Sequence, residues 1–548
     1  MDRRILLPVA CLLIVSMLSG QDAAPSAVPA APGSEAVTQQ PADRARQRNN
    51  AQQRNRNQAR RAQATAATRP AAAAGNRANR GRAESLGQPK PGGDGPAGTR
   101  LTGESLYNVQ PTVLPRGDGA NWLAWVGYLP GAGDFLFVGI EQDGRMRDIV
   151  RLTEAPADLF RPVLVRSGET TMLLFTQTVA RKGPQIFYST LEGEKWSAPQ
   201  ILPGAAPHTF NPEAAALPDG RIAVVYQVFS DGGYAIGLRT YAAGKWSAET
   251  RIAEPGTTDD APLDCWDPVA AWDSAGGRLL IVWTAFYPGD YDLCWRTWTD
   301  GQLGRTERIT RIGYDLHPSA VAAPDGGVWV AWDNIQIAGH AGSGRTFIKH
   351  PRDESIDLGP RTPRLQCSVW AARWADGKWS TPATGGRVTG EREDVRHGGS
   401  PKLAFDAAGR LHIAYRTRHE PVSGRTLYFW DISTRILDGD RWTDPIRLAD
   451  SDGPTEEAAL AAAGDTMLVF FQRDYRRTKG GNDGVQVPKL ANENLEKFFS
   501  HHCDYGDPKL RHGDIFVTRV PGQGAAPRAT QALAVDPPVR KEYNTFEP

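Results

Sequence analysis

The chain has 548 residues and a formal net charge of +1, with 40% apolar residues, 57 Gly, 41 Pro and only 5 Cys. That composition excludes a disulfide-dense miniature scaffold and a wholly disordered chain. The charge is uneven: residues 1–100 hold 15 Lys and Arg against 6 Asp and Glu, so the remainder stands at −8, which argues against general nucleic-acid binding by that part.

Met1–Gly20 places Arg3 and Arg4 ahead of the apolar run ILLPVACLLIVSML. A short apolar run directly behind positive charge reads as a secretory signal peptide, cleaved near Gly20 or Ala23, and predicts a secreted or periplasmic protein. A lipoprotein anchor at Cys11, the end of LPVAC, is disfavoured because the apolar core continues past it. No later run is apolar and long enough to span a bilayer, so no transmembrane span is expected in the mature chain. Residues 21–99 are dominated by Ala, Pro, Gln, Asn, Gly and Arg and lack the aliphatic bulk to offset ordering entropy. They read as a disordered linker. Its basic run, Arg44 to Arg82, is a solvated spacer or an electrostatic tether to anionic polymer.

From residue 100 one pattern recurs. A polar residue and Pro lead into an apolar run, a tight Gly-containing turn, and a second apolar run ending in aromatics: a hairpin written in sequence. LHPSAVAAPDGGVWVAWD, from Leu316, is the clearest copy. Others begin at Gln110, Arg161, Asn211, Asp267 and Ser400, and a degenerate one, TEEAALAAAGDTMLVFFQ, begins at Thr455. Successive copies, with the Leu316 copy counted from His317, are separated by 51, 50, 56, 50, 83 and 55 residues. A third strand follows each hairpin, as in YAIGLRTY and DLCWRTWT. A Trp turn (EGEKWSAP, AAGKWSAE, ADGKWSTP) and an edge-like fourth strand (RDIVRLT, ETRIA, TERIT) come next. A period near 50 residues that opens with a hairpin predicts an all-β fold, a seven-bladed β-propeller of four-stranded antiparallel blades over residues 100–535. Residues 536–548 form a C-terminal tail. Either RLT at Arg100–Thr102 or RATQALAV near Arg528 closes the last blade. Cys265 and Cys294 are equally readable as a disulfide or as two free thiols.

In such a blade the inner strand starts, the second ends and the third starts on one face. Gln110, Arg161, Asn211, Asp267, His317 and Ser400 then form a polar ring at the mouth of the central channel. The competing reading has them satisfying neighbouring loops. The same face gathers the long insertions: 334–365 in the fifth blade, 473–512 in the seventh, and TRHEPVSGR in the sixth. These carry His340, His350, His419, His501, His502 and His512 with Arg345, Arg364, Arg473, Arg476 and Arg477, a concentration suited to an anionic ligand. No cofactor is expected. Calcium at the acidic loop Thr257–Asp267 and zinc at His501, His502, Cys503, Asp504 and His512 are the structural-metal alternatives, although the latter spacing fits no zinc pattern. There is no nucleotide-binding glycine fingerprint and no GxSxG elbow.

The repeats resemble the BNR-repeat, sialidase-like propellers over Arg100–Val520. The Gly-Lys-Trp-Ser turns look like eroded Asp-boxes, and Phe160–Pro162 resembles the sialidase Arg-Ile-Pro entry with one residue missing. The sixth repeat, DVRHGGSPKLAFDAAGRLHIAYRTRH, is similar to seven-bladed propeller polysaccharide lyases and related rhamnosidases, with His397 and His419 matching their histidine layout. The resemblance implies an exported, monomeric carbohydrate-active enzyme cleaving an acidic polysaccharide. Arg161 would neutralise the uronate, His317 or His397 would serve as base and Tyr314 as acid. Gln110, Asn211, Asp267, Trp266 and Arg416 would bind substrate. The alternative is a non-catalytic propeller binding a glycan or a protein at the same mouth.

Overall fold

A computed structural model describes residues 98–103, 107–129, 132–204, 208–230, 232–256, 262–287, 290–311, 313–338, 345–349, 355–360, 364–389, 398–419, 429–448, 455–474, 513–529 and 531–533. The expected signal peptide, nearly all of the expected linker and tail, the seventh-repeat insertion and His397 lie outside these residues.

The structure is all-β, with no helix among the described residues. Seven antiparallel meanders of three strands follow one another there. They are Tyr107–Pro115, Asn121–Leu129 and Gly133–Gln142; Leu159–Ser167, Thr170–Val179 and Gly183–Glu192; Thr209–Ala216, Ile222–Ser230 and Gly233–Ala242; Asp264–Asp273, Arg278–Tyr287 and Asp290–Thr299. The last three are Tyr314–Ala322, Val328–Ala338 and Arg364–Ala375; Gly398–Phe405, Leu411–His419 and Phe429–Asp438; Thr455–Ala463, Thr466–Asp474 and Gly513–Pro521. We call them units one to seven, with inner, second and third strands in that order.

Each inner strand is bulged at the same place. The register to the second strand slips between Val109 and Thr112, Phe160 and Val163, Phe210 and Glu213, Trp266 and Val269, Leu316 and Ser319, and Gly399 and Lys402. The cause is the X-Pro dipeptide. Proline has no N–H to give the ladder, so two inner-strand residues face one partner residue. In unit seven Ala458 replaces the proline, keeps its N–H and rejoins the ladder opposite Phe471, leaving Glu457 as the one extra residue. The X residues, Gln110, Arg161, Asn211, Asp267, His317, Ser400 and Glu457, all have positive φ, between 43° and 55°. Each is half-buried, and the Pro or Ala after it is buried.

The cores lie between units. Trp122 and Leu123 face different neighbours because successive strand residues point to opposite faces. Trp122, Ala124 and Val126 pack with Leu173 and Phe175 of unit two, whereas Leu123 and Trp125 pack with Phe470 and Ile515 of unit seven. Equivalent cores join two to three, three to four, four to five, five to six and six to seven. Each inner strand lies against the next, and the seventh lies against the first.

The closing strand comes from the N-terminal side: Thr99 and Arg100 pair with Val517 and Phe516 of unit seven. Arg100 also bridges to Asp514 at 2.6 Å, and Thr102 donates to the same carboxylate at 2.8 Å. Gly98 and Thr99, placed in the linker by composition, thus belong to the folded part. The C-terminal candidate instead adds Gln531–Ala532 to Lys378–Thr381 of unit five.

The fourth strands are shorter than the repeats suggest. Only Arg145–Arg151 is long; Gln200–Ile201, Glu307–Arg308 and Ile446–Arg447 have two residues each. These segments are polar and bind one neighbour, so little apolar burial holds them to the edge. The Trp turns do more. Trp196 packs edge-on to Trp122 at 5.4 Å and Trp246 to Tyr188 at 5.1 Å. The next hydroxyl, on Ser197, Ser247 or Thr443, accepts the third-strand N–H of Thr190, Thr240 or Ile436.

In unit five the second and third strands run on into the insertion, pairing as far as Ala338 with Arg364, and the insertion contains its own hairpin, Arg345–Lys349 with Ser355–Pro360. Cys265 and Cys294 are free and buried. The second strand runs between them, so their backbones stand two strand spacings apart, about 9–10 Å, too far for a disulfide. Burial pushes the Cys294 thiol up to about 11.

Candidate functional site

The bulges explain how the ring forms. A left-handed residue followed by proline swings the X side chain out of the ladder, where the period-two alternation would otherwise assign it to a sheet face. Non-glycine residues pay for that conformation, so it persists only where the bulge and its surroundings impose it.

Some of the ring is spent on support. Gln110 Oε1 accepts the Arg161 N–H at 2.7 Å. Thr176 Oγ1 accepts the Asn211 N–H at 3.2 Å, and Gln227 Oε1 accepts the Asp267 N–H at 3.2 Å. Each N–H freed by a bulge here is taken up by a side chain of the preceding unit. Gln110 therefore behaves as the loop-satisfying alternative expects. Asn211 does so in part, donating through Nδ2 to Gln227 at 2.5 Å and to Asp267 at 3.3 Å.

The charged members meet. Arg161 Nη2 donates to Asp267 Oδ1 at 2.8 Å. Burial works against the guanidinium charge, but the carboxylates of Asp267, Glu213 and Glu457 outweigh it and raise its pKa, so Arg161 is always cationic. Its Nε and Nη1 have no hydrogen-bond partner among the described residues, and 27% of the side chain is exposed. Asp267 fixes Nη2, and the rest of the guanidinium is partly exposed.

His317 forms the second feature. Its Nδ1 lies 2.9 Å from Oδ2 and 3.1 Å from Oδ1 of Asp333, a carboxylate buried on the second strand of the same unit. The register sets this up, because Asp333 pairs with Leu316, one residue before the bulge. With Nδ1–H donated to Asp333, Nε2 is the proton-accepting nitrogen. Burial disfavours the imidazolium, but Asp333, with help from Asp267, holds the pKa above the ordinary 6.5 despite the nearby Arg161 charge. Gly399 of unit six makes room: a Cβ there would sit 3.2 Å from Asp333 Oδ2.

The remaining sequence candidates divide. Arg416 takes the register position of Asp333 in unit six, opposite Gly399. Trp266 directly precedes Asp267 and packs on Tyr234 at 4.7 Å. Tyr234 also meets Phe210, which precedes Asn211, at 5.5 Å and Phe229 at 5.4 Å, and Phe229 is 42% exposed. These rings make an aromatic ledge beside the polar ring. Tyr314 pairs with Tyr291, their rings 5.7 Å apart, and burial together with the Asp290 carboxylate raises its phenol pKa. Tyr314 belongs to this aromatic pair, three residues from His317 along the strand. His397 lies outside the described residues, as do the zinc-type residues of the seventh-unit insertion. No cluster of three or more His, Cys, Asp or Glu placed to hold a metal occurs among the described residues.

Sequence reading passed over Glu457, Glu213, Asp333 and Gln227. Glu457 lacked the X-Pro signal: it precedes Ala458, where the other six copies have proline. Asp333 and Gln227 share one register position, opposite the residue before X in their units.

No protein-family model matches the chain, and no curated protein matches it. Among solved structures it is similar to a protein of unknown function from Dyadobacter fermentans DSM 18053, at 12% identity over 62% of this chain and 96% of that one, TM-score 0.41. It is also similar to an ulvan lyase, a polysaccharide lyase solved bound to -[GlcA(1-4)Rha3S]-, at 12% identity over 78% and 96%, TM-score 0.44. A third is an α-L-arabinofuranosidase from Lactobacillus brevis, at 12% identity over 52% and 94%, TM-score 0.33.

Proposed function

We propose that this chain is an exported seven-bladed β-propeller that cleaves an acidic polysaccharide at the mouth of its channel. The observation that carries the proposal is the convergence, on one ring of bulged entries, of a half-open arginine and a carboxylate-oriented histidine. Seven cyclically packed units support the blade count, and the leader-like Met1–Gly20 supports export.

The chemistry favoured is β-elimination next to a uronate. The open arm of Arg161 binds the substrate carboxylate and stabilises the charge that moves onto it as the adjacent C5 proton leaves. His317 Nε2 takes that proton, and Asp333 stabilises the resulting imidazolium. The C5 electron pair forms the C4–C5 double bond, the C4–O4 bond breaks, and the protonated Tyr314, or His397, supplies a proton to the departing oxygen. Asn211, Asp267, Trp266 and Arg416 complete the binding surface, with the aromatic ledge stacking sugar faces.

A second reading, a non-catalytic glycan-binding propeller, is favoured by the ledge itself, which can hold sugar rings without chemistry. The deciding experiment is incubation of the purified protein with a panel of uronate polymers while following ultraviolet absorbance from unsaturated ends. Absorbance that grows with wild type and is lost in His317→Ala supports the lyase. Saturable binding with no new ends on any polymer overturns it in favour of the binder.

A further inference from the structure

A separate cleft of about 860 Å³ lies at the outer edge of unit four. It exists because the fourth strand there is only Glu307–Arg308, so it covers the third strand only at Cys294 and Trp295. The volume falls in the range of small-molecule sites. Five arginines line it, Arg251, Arg296, Arg305, Arg308 and Arg311, against the carboxylates of Glu254 and Glu307, in a part of the chain that is net acidic.

The guanidinium groups are unequally neutralised. Arg308 lies over the Tyr287 ring at 3.5 Å and bridges to Asp292 at 3.0 Å. Arg251 pairs through Nε with Glu249 at 2.7 Å, yet its buried Nη1 has no hydrogen-bond partner among the described residues. Arg296 donates to the carbonyl oxygens of Gly304 and Ile252, at 2.6 and 2.7 Å, and to no carboxylate among the described residues. Burial lowers its pKa, as expected for a cation without a close counter-charge. Arg305 is exposed and has no ion pair among the described residues. The wall opposite is aromatic: Trp295 and Trp379 meet edge-on at 5.9 Å. Donor forks beside an aromatic wall match a sugar that carries an oxyanion.

We propose that this cleft is a second binding site, independent of the ring, for a carboxylated or sulfated sugar unit. Its position on the rim lets it hold a polymer strand outside the channel mouth, raising the local concentration of chain at the ring.

The test uses the full chain carrying Arg161→Ala, so that binding at the ring is weakened. Titration calorimetry is run with a sulfated uronate oligosaccharide and, separately, with inorganic sulfate. Two further variants are placed on that background: Arg305→Glu, which reverses an exposed charge, and Thr306→Trp, which obstructs the cleft from an exposed position. The expected result is salt-sensitive oligosaccharide binding that weakens at least tenfold in both variants, with sulfate competing only weakly. Unchanged affinity in both variants overturns the site. Sulfate binding as tightly as the oligosaccharide overturns the sugar assignment. Loss of cleavage in Arg161→Ala with rim binding intact separates this site from the ring.

Discussion

Arg161 and Asp267, 106 residues apart in sequence, meet at 2.8 Å across the ring of bulged entries. The pair fixes one arm of the guanidinium and leaves the other for an anion. Replacing Arg161 with Ala is expected to lower kcat/KM on an acidic polymer at least 100-fold, the loss of a charge-assisted contact to the substrate carboxylate. Arg161→Lys recovers little, because a point charge cannot serve Asp267 and a substrate carboxylate at once. Steady-state kinetics on a uronate polymer decide this; activity within twofold of wild type in either variant removes Arg161 from the site.

His317 with Asp333 sets a pH signature. The working form of His317 is neutral, and its pKa is raised above 6.5, so turnover rises with pH through a limb above that value. Asp333→Asn removes the principal raising charge, so the limb moves to lower pH while kcat falls by about 100-fold. Gly399→Ala pushes a methyl against Asp333 and is expected to reduce kcat several-fold with little change in KM. A pH-rate profile that stays in place in Asp333→Asn would show that another group carries the limb.

The bulges make a stability prediction. Ser400 has φ 50°, a region that costs an L side chain roughly 1–2 kcal/mol and glycine far less. Glycine loses more entropy on folding, so Ser400→Gly is expected to stabilise by about 0.5–1 kcal/mol, seen as a higher urea midpoint at unchanged slope. A lower midpoint would mean that the serine hydroxyl holds the mouth together.

Asp290, at the start of the third strand of unit four, is a carboxyl whose pKa burial and then the Asp292 carboxylate push up to about 7. The stability its protonated form supports is fully present below about 3.8 and is lost as pH rises to about 7. Asparagine mimics the protonated form and keeps the acceptor for the Tyr291 N–H. Asp290→Asn should therefore raise the Tm by a few degrees at pH 8 and leave it unchanged at pH 4. An equal shift at both values would point to packing rather than charge.

The repeat register was legible because proline and glycine leave local marks, so six entry positions could be read directly from X-Pro. Glu457 escaped because Ala458 lacks that mark, although the backbone of its neighbour repeats the same turn. Partners such as Asp333 and Gln227 were hidden for another reason. They are defined by cross-strand register, and one slipped residue at the bulge decides which second-strand side chain faces the mouth. The short fourth strands show the limit of pattern. Alternation marks a strand that could form, but only burial decides how much of it stays paired. The rim cleft left no pattern, since its arginines come from three segments brought together by the missing edge of one sheet.

The pairing of Thr99 and Arg100 with the last meander has a consequence for how the molecule is made. Thr102 and Asp514, 412 residues apart, share a buried hydrogen bond. The ribosome therefore produces the first strand of the fold long before its partner exists. Units two to six can assemble from neighbours in order, whereas the first strand must wait unpaired until the seventh unit emerges. The slow step of folding is then the search that joins the two ends, a loop closure spanning nearly the whole folded chain. A single cut just after Gly103 would sever that strand from unit one while leaving every other meander covalently intact, and would reopen the unit-seven edge to pairing with a second molecule.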